Sequence, residues 1–62
     1  MATTAATKEE WWSLVRKDLA NWNSKSHPDD RMGLQDWVGE IGVCYGWRPF
    51  HDVYGDWDIK RV

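Results

Sequence analysis

The chain has 62 residues, one cysteine, six tryptophans and a formal net charge of −2. These make one small domain, exclude an intrachain disulfide, and leave no apolar run near the ~20 residues that a membrane span needs. The charge is uneven: residues 1–25 carry four cations against three acids, residues 26–58 two against seven, and Lys60 and Arg61 follow. An acidic second half disfavours direct nucleic-acid binding, which requires clustered cations. It suits a basic protein surface, and it serves solubility equally well.

The opening stretch MATTAATKEE has no basic-then-apolar signal. With a lone cysteine and an initiator Met, the chain reads as a complete small cytoplasmic product. Residues 1–6 read as a flexible leader, and residues 7–62 as a single small domain. Aliphatic side chains are few (three Leu, two Ile, five Val), so indoles, at ~150–250 Å² each, must supply much of the buried surface.

Thr7-x-x-Glu10 matches a capping box. Trp12, Val15, Leu19 and Trp22 follow on one helical stripe, with Trp11 at its edge, and predict a helix from Lys8 to Asn23. NSKSHP breaks it, since His27 before Pro28 disfavours helical backbone. Pro28, Asp29 and Asp30 suit the start of a second helix. The stripe Leu34, Trp37, Val38, Ile41, Cys44 and Tyr45 predicts that helix two runs from Pro28 to Tyr45 and stops at Gly46. Within it, Gly33 and Gly42 read as space for the indoles of helix one. Met32, Gly39 and Val43 form a second, smaller apolar strip on its back.

The last segment, YGWRPFHDVYGDWDIKRV, is too broken by Gly46, Pro49 and Gly55 for one long element. Phe50, Val53, Tyr54 and Trp57 have helical spacing and favour a short turn over 49–54. Alternatively, Gly55-Asp56 is a hairpin turn with Trp57 to Lys60 as a strand. The expected fold is therefore mainly α, an antiparallel helical hairpin closed by an irregular aromatic C-terminal segment, with the two-stranded hairpin as the α+β alternative. Trp12, Leu19, Trp37 and Ile41 are the expected mutually buried core.

The spacings carry little chemistry. His27, Cys44, His51 and the aspartates form no C-x-x-C or H-x-x-x-H pair, so no metal or cofactor is expected. Cys44 reads as a small buried hydrophobe. A chain this short is not expected to enclose a substrate pocket of several hundred Å³, and an enzyme is not expected. Trp47, Arg48, Phe50, Tyr54 and Trp57 are the expected partner-binding residues, because large rings and Arg dominate binding hot spots. Asp29, Asp30 and Asp36 join them as the acidic contribution. The expected function is non-enzymatic protein binding by a regulator or inhibitor of a larger protein or assembly; a virus- or mobile-element-encoded inhibitor is one such case. The alternatives are a structural subunit stabilised by oligomerisation, and a small helical DNA-binding module using Arg16, Lys17 and Lys25.

Overall fold

The computed structural model describes residues 4–62. Its elements are helix α1 (Lys8–Lys25), a 3₁₀ turn (Pro28–Asp30), helix α2 (Leu34–Ile41), and strands β1 (Trp47–His51) and β2 (Trp57–Arg61). The strands form a two-stranded antiparallel sheet, paired from Trp47↔Arg61 to His51↔Trp57. The fold is thus α+β; the C-terminal segment is the hairpin, and the helical turn expected over 49–54 does not form. Pro49 fits β1 because it stands where no ladder donor is needed.

Helix α1 starts as its sequence dictates. The Thr7 hydroxyl accepts from the Glu10 amide at 3.1 Å, and Glu9 and Glu10 face the positive end of the helix dipole. It runs two residues past the expected end. Near that end the Asn23 side chain grips Met32 from both sides, accepting from its N–H and donating to its C=O, each at 3.0 Å. The clamp ties the connection back onto α1.

Helix two is much shorter than expected. Pro28–Asp30 makes only a 3₁₀ turn, closed by the Asp30 amide on the His27 carbonyl at 2.8 Å. The clamped chain then stays extended, and Gly33 sits at the N-cap of α2 with a β-type backbone. The helix ends at Gly42 (φ 60°, ψ −138°) rather than at Gly46. Gly33 and Gly42 also do not make room for rings: a Cβ at either would meet nothing within 4 Å. Beyond Gly42, the peptide groups of Cys44 and Trp47 exchange hydrogen bonds of 3.1 and 3.0 Å around Tyr45 (φ 53°) and Gly46 (φ 79°). Two positive φ values in a two-residue loop are the geometry of a tight hairpin-type turn, here closed by the single Cys44–Trp47 bridge. Tyr45 adopts this conformation against the usual preference of a residue with a Cβ. Its carbonyl accepts from Ala5 at 2.9 Å, and its hydroxyl donates to the Asp18 carboxylate.

The buried core is Ala5, Trp11, Val15, Val38, Trp47 and Ile59. It differs from the expected set: Trp12, Leu19, Trp37 and Ile41 are each only half-buried. Trp11, placed at the edge of the stripe by sequence, is its centre. Its Nε1 donates to the Cys44 carbonyl at 2.9 Å, and the Trp47 Nε1 donates to the Ala5 carbonyl at 2.8 Å, so both buried indoles have their polar atom paired. The shift follows from the short α2. At about 1.5 Å per residue the 8 residues of α2 cover less than half the length of the 18 of α1. The C-terminal half of α1 is therefore only partly covered, and Trp22 is 46% exposed, lying against Trp37 with ring centroids 5.9 Å apart.

The expected leader divides. Residues 1–3 lie outside the described residues. Ala5 is fully buried, and the Ala6 carbonyl accepts from the Arg61 guanidinium at 3.0 Å. The chain before α1 is thus packed across the hairpin from residue 5.

Candidate functional site

Strand alternation divides the hairpin into two faces. Trp47, Pro49 and His51 lie opposite Arg61, Ile59 and Trp57 on the face toward the helices, and Arg48 and Phe50 lie opposite Lys60 and Asp58 on the other. Cation–π geometry agrees: the Arg61 guanidinium stands 5.1 Å from the Trp47 ring and the Lys60 amine 5.7 Å from the Phe50 ring. Phe50 is half-buried yet is not among the hydrophobic residues packed on the core.

Between the strands, Asp52–Asp56 forms a compact loop. The Gly55 amide donates to the Asp52 carbonyl at 3.1 Å, and the Asp52 amide to the Asp56 carbonyl at 2.9 Å. Oδ1 of Asp52 accepts from the amides of Tyr54 (2.8 Å) and Asp56 (3.0 Å). His51 Nδ1 lies 3.1 Å from the Gly55 carbonyl, and its ring stacks on Trp57 at 3.9 Å. Gly55 has φ 82°. A turn closed from the first to the fourth residue, with a left-handed glycine last, is the pattern of three-residue hairpin loops, so the turn is centred on Val53-Tyr54 and not on Gly55-Asp56. At its tip Val53 is 92% and Tyr54 86% exposed.

The predicted binding residues therefore separate. Trp47 is a core residue, 7% exposed, and does not share a surface with Arg48, Phe50 and Tyr54. Trp57 is half-buried on the helix-facing side, 3.7 Å from where a Cβ on Gly39 would stand. Arg48 is exposed on the outer face and Tyr54 at the tip. Asp29 and Asp30 are exposed in the 3₁₀ turn, and Asp36 is exposed in the first turn of α2. No hydrogen bond or ion pair among the described residues joins these three to the hairpin loop. Sequence reading missed Val53, and missed Asp52 as the loop organiser. The signal was present: Asp at the first and Gly at the fourth position is a type I turn signature.

Two grooves open to solvent lie along the helices, the first bounded also by Trp57 of β2. One, of about 460 Å³, has Trp12, Leu34, Val38 and Trp57 as apolar lining, with Glu9 and Arg16 also on its wall. The other, of about 530 Å³, lies along Trp22 and Trp37 beside Asp18 and Lys25. The Trp37 Nε1 is buried with no partner among the described residues. Three titrations are displaced. The Asp18 carboxylate that accepts the Tyr45 hydroxyl pushes that phenol up to about 12. Burial pushes the Cys44 thiol up. The Ile59 amide, followed by Lys8, holds the Asp58 carboxyl below its usual range. Among the described residues, no group of three His, Cys, Asp or Glu side chains stands close enough to hold a metal, and no helix is long and apolar enough to cross a membrane.

Comparison with protein-family models, with curated proteins and with solved structures gave no match, so the site rests on geometry.

Proposed function

We propose that the protein is a non-enzymatic protein-binding module, a cytoplasmic regulator or inhibitor of a larger protein, which meets its partner with the hairpin loop and outer face. The observation that carries this reading is the Asp52-organised loop. It holds a large aromatic side chain, Tyr54, 86% exposed beside Val53 at 92%, on a backbone with four internal hydrogen bonds. An exposed ring on an ordered loop loses little conformational entropy on binding, and such pre-organisation favours affinity. Arg48 and Phe50 extend the surface along the outer face. Trp47 and Trp57 support it from behind. The exposed Asp29, Asp30 and Asp36 steer approach to a basic partner surface.

The test is capture from an extract of the cell of origin, followed by affinity measurement with the isolated partner. Tyr54→Ala is expected to weaken binding by about 2 kcal/mol, near thirtyfold, with the melting temperature almost unchanged. Asp52→Ala should weaken it through loop disorder while Tyr54 remains. Changing Asp29, Asp30 and Asp36 to Asn should slow association and flatten its salt dependence. Normal binding by both Tyr54→Ala and Arg48→Ala would remove the hairpin as the contact surface.

A further inference from the structure

The outer face of the hairpin carries two cations set against each other. Arg48 and Lys60 are Cα partners in the ladder, and residues directly opposite in an antiparallel pair share a face with Cβ atoms ~4.5–5.5 Å apart. Like charges in that relation weaken the pairing. The Lys60 amine lies over the Phe50 ring, 5.7 Å from its centroid. Arg48 is exposed, and no ion pair among the described residues uses its guanidinium. Asp58, the acid of this face, is already engaged: Oδ1 accepts from the Ile59 amide at 2.8 Å and from the Lys8 amine at 3.2 Å. The face thus holds two positive charges that no acid among the described residues pairs, in a chain whose formal net charge is −2. Beside them Phe50 is half-buried and does not pack on the core.

We propose that this face takes an acidic segment of the protein partner, with one Glu or Asp carboxylate held between Arg48 and Lys60 and an apolar side chain two residues away resting on Phe50. The carboxylate site rests on the reading of the hairpin as the contact surface, and supplies the chemistry of what that surface meets. An extended segment places alternate side chains on one face at roughly 6–7 Å, and Arg48 and Phe50 have that same spacing along β1. A carboxylate accepts at both oxygens, so it can take a guanidinium and an ammonium at once, in charge-assisted bonds about twice as strong as neutral ones. It also relieves the like-charge opposition of the free protein, so that relief is gained on binding.

A polyanion fits this face poorly. Nucleic acid and anionic lipid need a row of cations against successive phosphates. Here Lys8 is spent on Asp58, and Arg61 on the Ala6 carbonyl and the Trp47 ring. Past Phe50 the strands lead to Asp52 and Asp56 in the loop, and Asp58 stands opposite Phe50 itself. A single carboxylate avoids these acids. Asp29, Asp30 and Asp36 stand in the 3₁₀ turn and α2, and no ion pair among the described residues joins them to Arg48 or Lys60. The basic surface that they steer toward and the contact acid are two features of one partner.

The experiment follows the amide signals of the full chain by nuclear magnetic resonance while a blocked peptide, Gly-Ser-Glu-Ser-Leu-Ser-Gly, is added to millimolar concentration. The expected result is saturable shifts at Arg48, Phe50 and Lys60, with the Gln-for-Glu peptide binding roughly fivefold or more weaker. Arg48→Glu should weaken the Glu peptide by roughly tenfold or more. Its urea midpoint should hold or rise, because an acid then stands opposite Lys60 in place of a like charge. If Arg48→Glu fails to fold, Arg48→Gln removes the charge alone and should weaken the peptide by about fivefold. No saturable shift, equal shifts with the Glu and Gln peptides, or a lowered midpoint for Arg48→Glu would overturn the proposal. Tighter binding of oligothymidylate, or of phosphatidylglycerol vesicles, than of the peptide would overturn it in favour of phosphate. With the isolated partner, loss of binding on Tyr54→Ala but not on Arg48→Glu keeps the contact surface and refutes the acid; loss on neither refutes the surface itself.

Discussion

Gly46→Ala isolates the point where the N-terminal segment, the Tyr45-Gly46 turn and the hairpin meet. Two costs add. Gly46 has φ 79°, and a residue with a Cβ loses about 1–2 kcal/mol in the left-handed region. The new Cβ would also stand 2.8 Å from Thr4 Cγ2, where carbon atoms ordinarily approach to ~3.5–4.0 Å. Overpacking costs roughly 1–3 kcal/mol, and the exposed Thr4 can shift, so the lower end applies. The expected loss is about 2–3 kcal/mol, against a total of roughly 3–9 kcal/mol for a chain this long. In urea, with a slope near 1 kcal/mol/M, the midpoint should fall by about 2 M, read by tryptophan fluorescence. Thr4→Ala alone should change little, because Thr4 is exposed. Thr4→Ala with Gly46→Ala should recover the steric part and leave about 1–2 kcal/mol of backbone cost. A Gly46→Ala midpoint within about 0.5 M of the parent would refute the turn geometry. Full recovery in the double variant would refute the backbone part.

Trp11→Ala should cost about 3–5 kcal/mol and Trp12→Ala clearly less, because Trp11 is fully buried and Trp12 only half-buried; urea curves that rank them the other way would restore the stripe read from sequence. Asn23→Ala leaves the Met32 amide and carbonyl without partners and should cost about 1–3 kcal/mol, with faster hydrogen exchange at Met32. The Tyr45 phenol, raised to about 12 in the fold from about 10 unfolded, favours the protonated folded state. Its contribution is fully present below pH ~10 and is lost as pH rises toward ~12. Unfolding midpoints across that window should fall more steeply for the parent than for Tyr45→Phe.

Much of the local structure was legible. The capping box at Thr7 forms, α1 begins at Lys8, NSKSHP breaks it, and the alternation after Gly55 is a strand. Each depends on groups within a few residues of one another, so spacing alone encodes it. Burial did not follow. Trp11 and Trp12 are adjacent and both near the apolar stripe; which one is buried depends on where α2 and the hairpin arrive. That depended on the Asn23–Met32 clamp, across 9 residues, and on the left-handed turn at Tyr45, which is held by Asp18 across 27 residues and by the distant Ala5 amide. Helix two illustrates the conflict: its apolar period ran from Leu34 to Tyr45, yet Gly42 leaves the helix and Cys44 pairs with Trp47. The composition of the aromatic tail could supply core, contact surface or both. Only the strand register, which turns Trp47 inward to Ala5 and lifts Tyr54 to the loop tip, decided which ring does which, because a side chain's face in a hairpin is set by its partner strand and not by its neighbours in the chain.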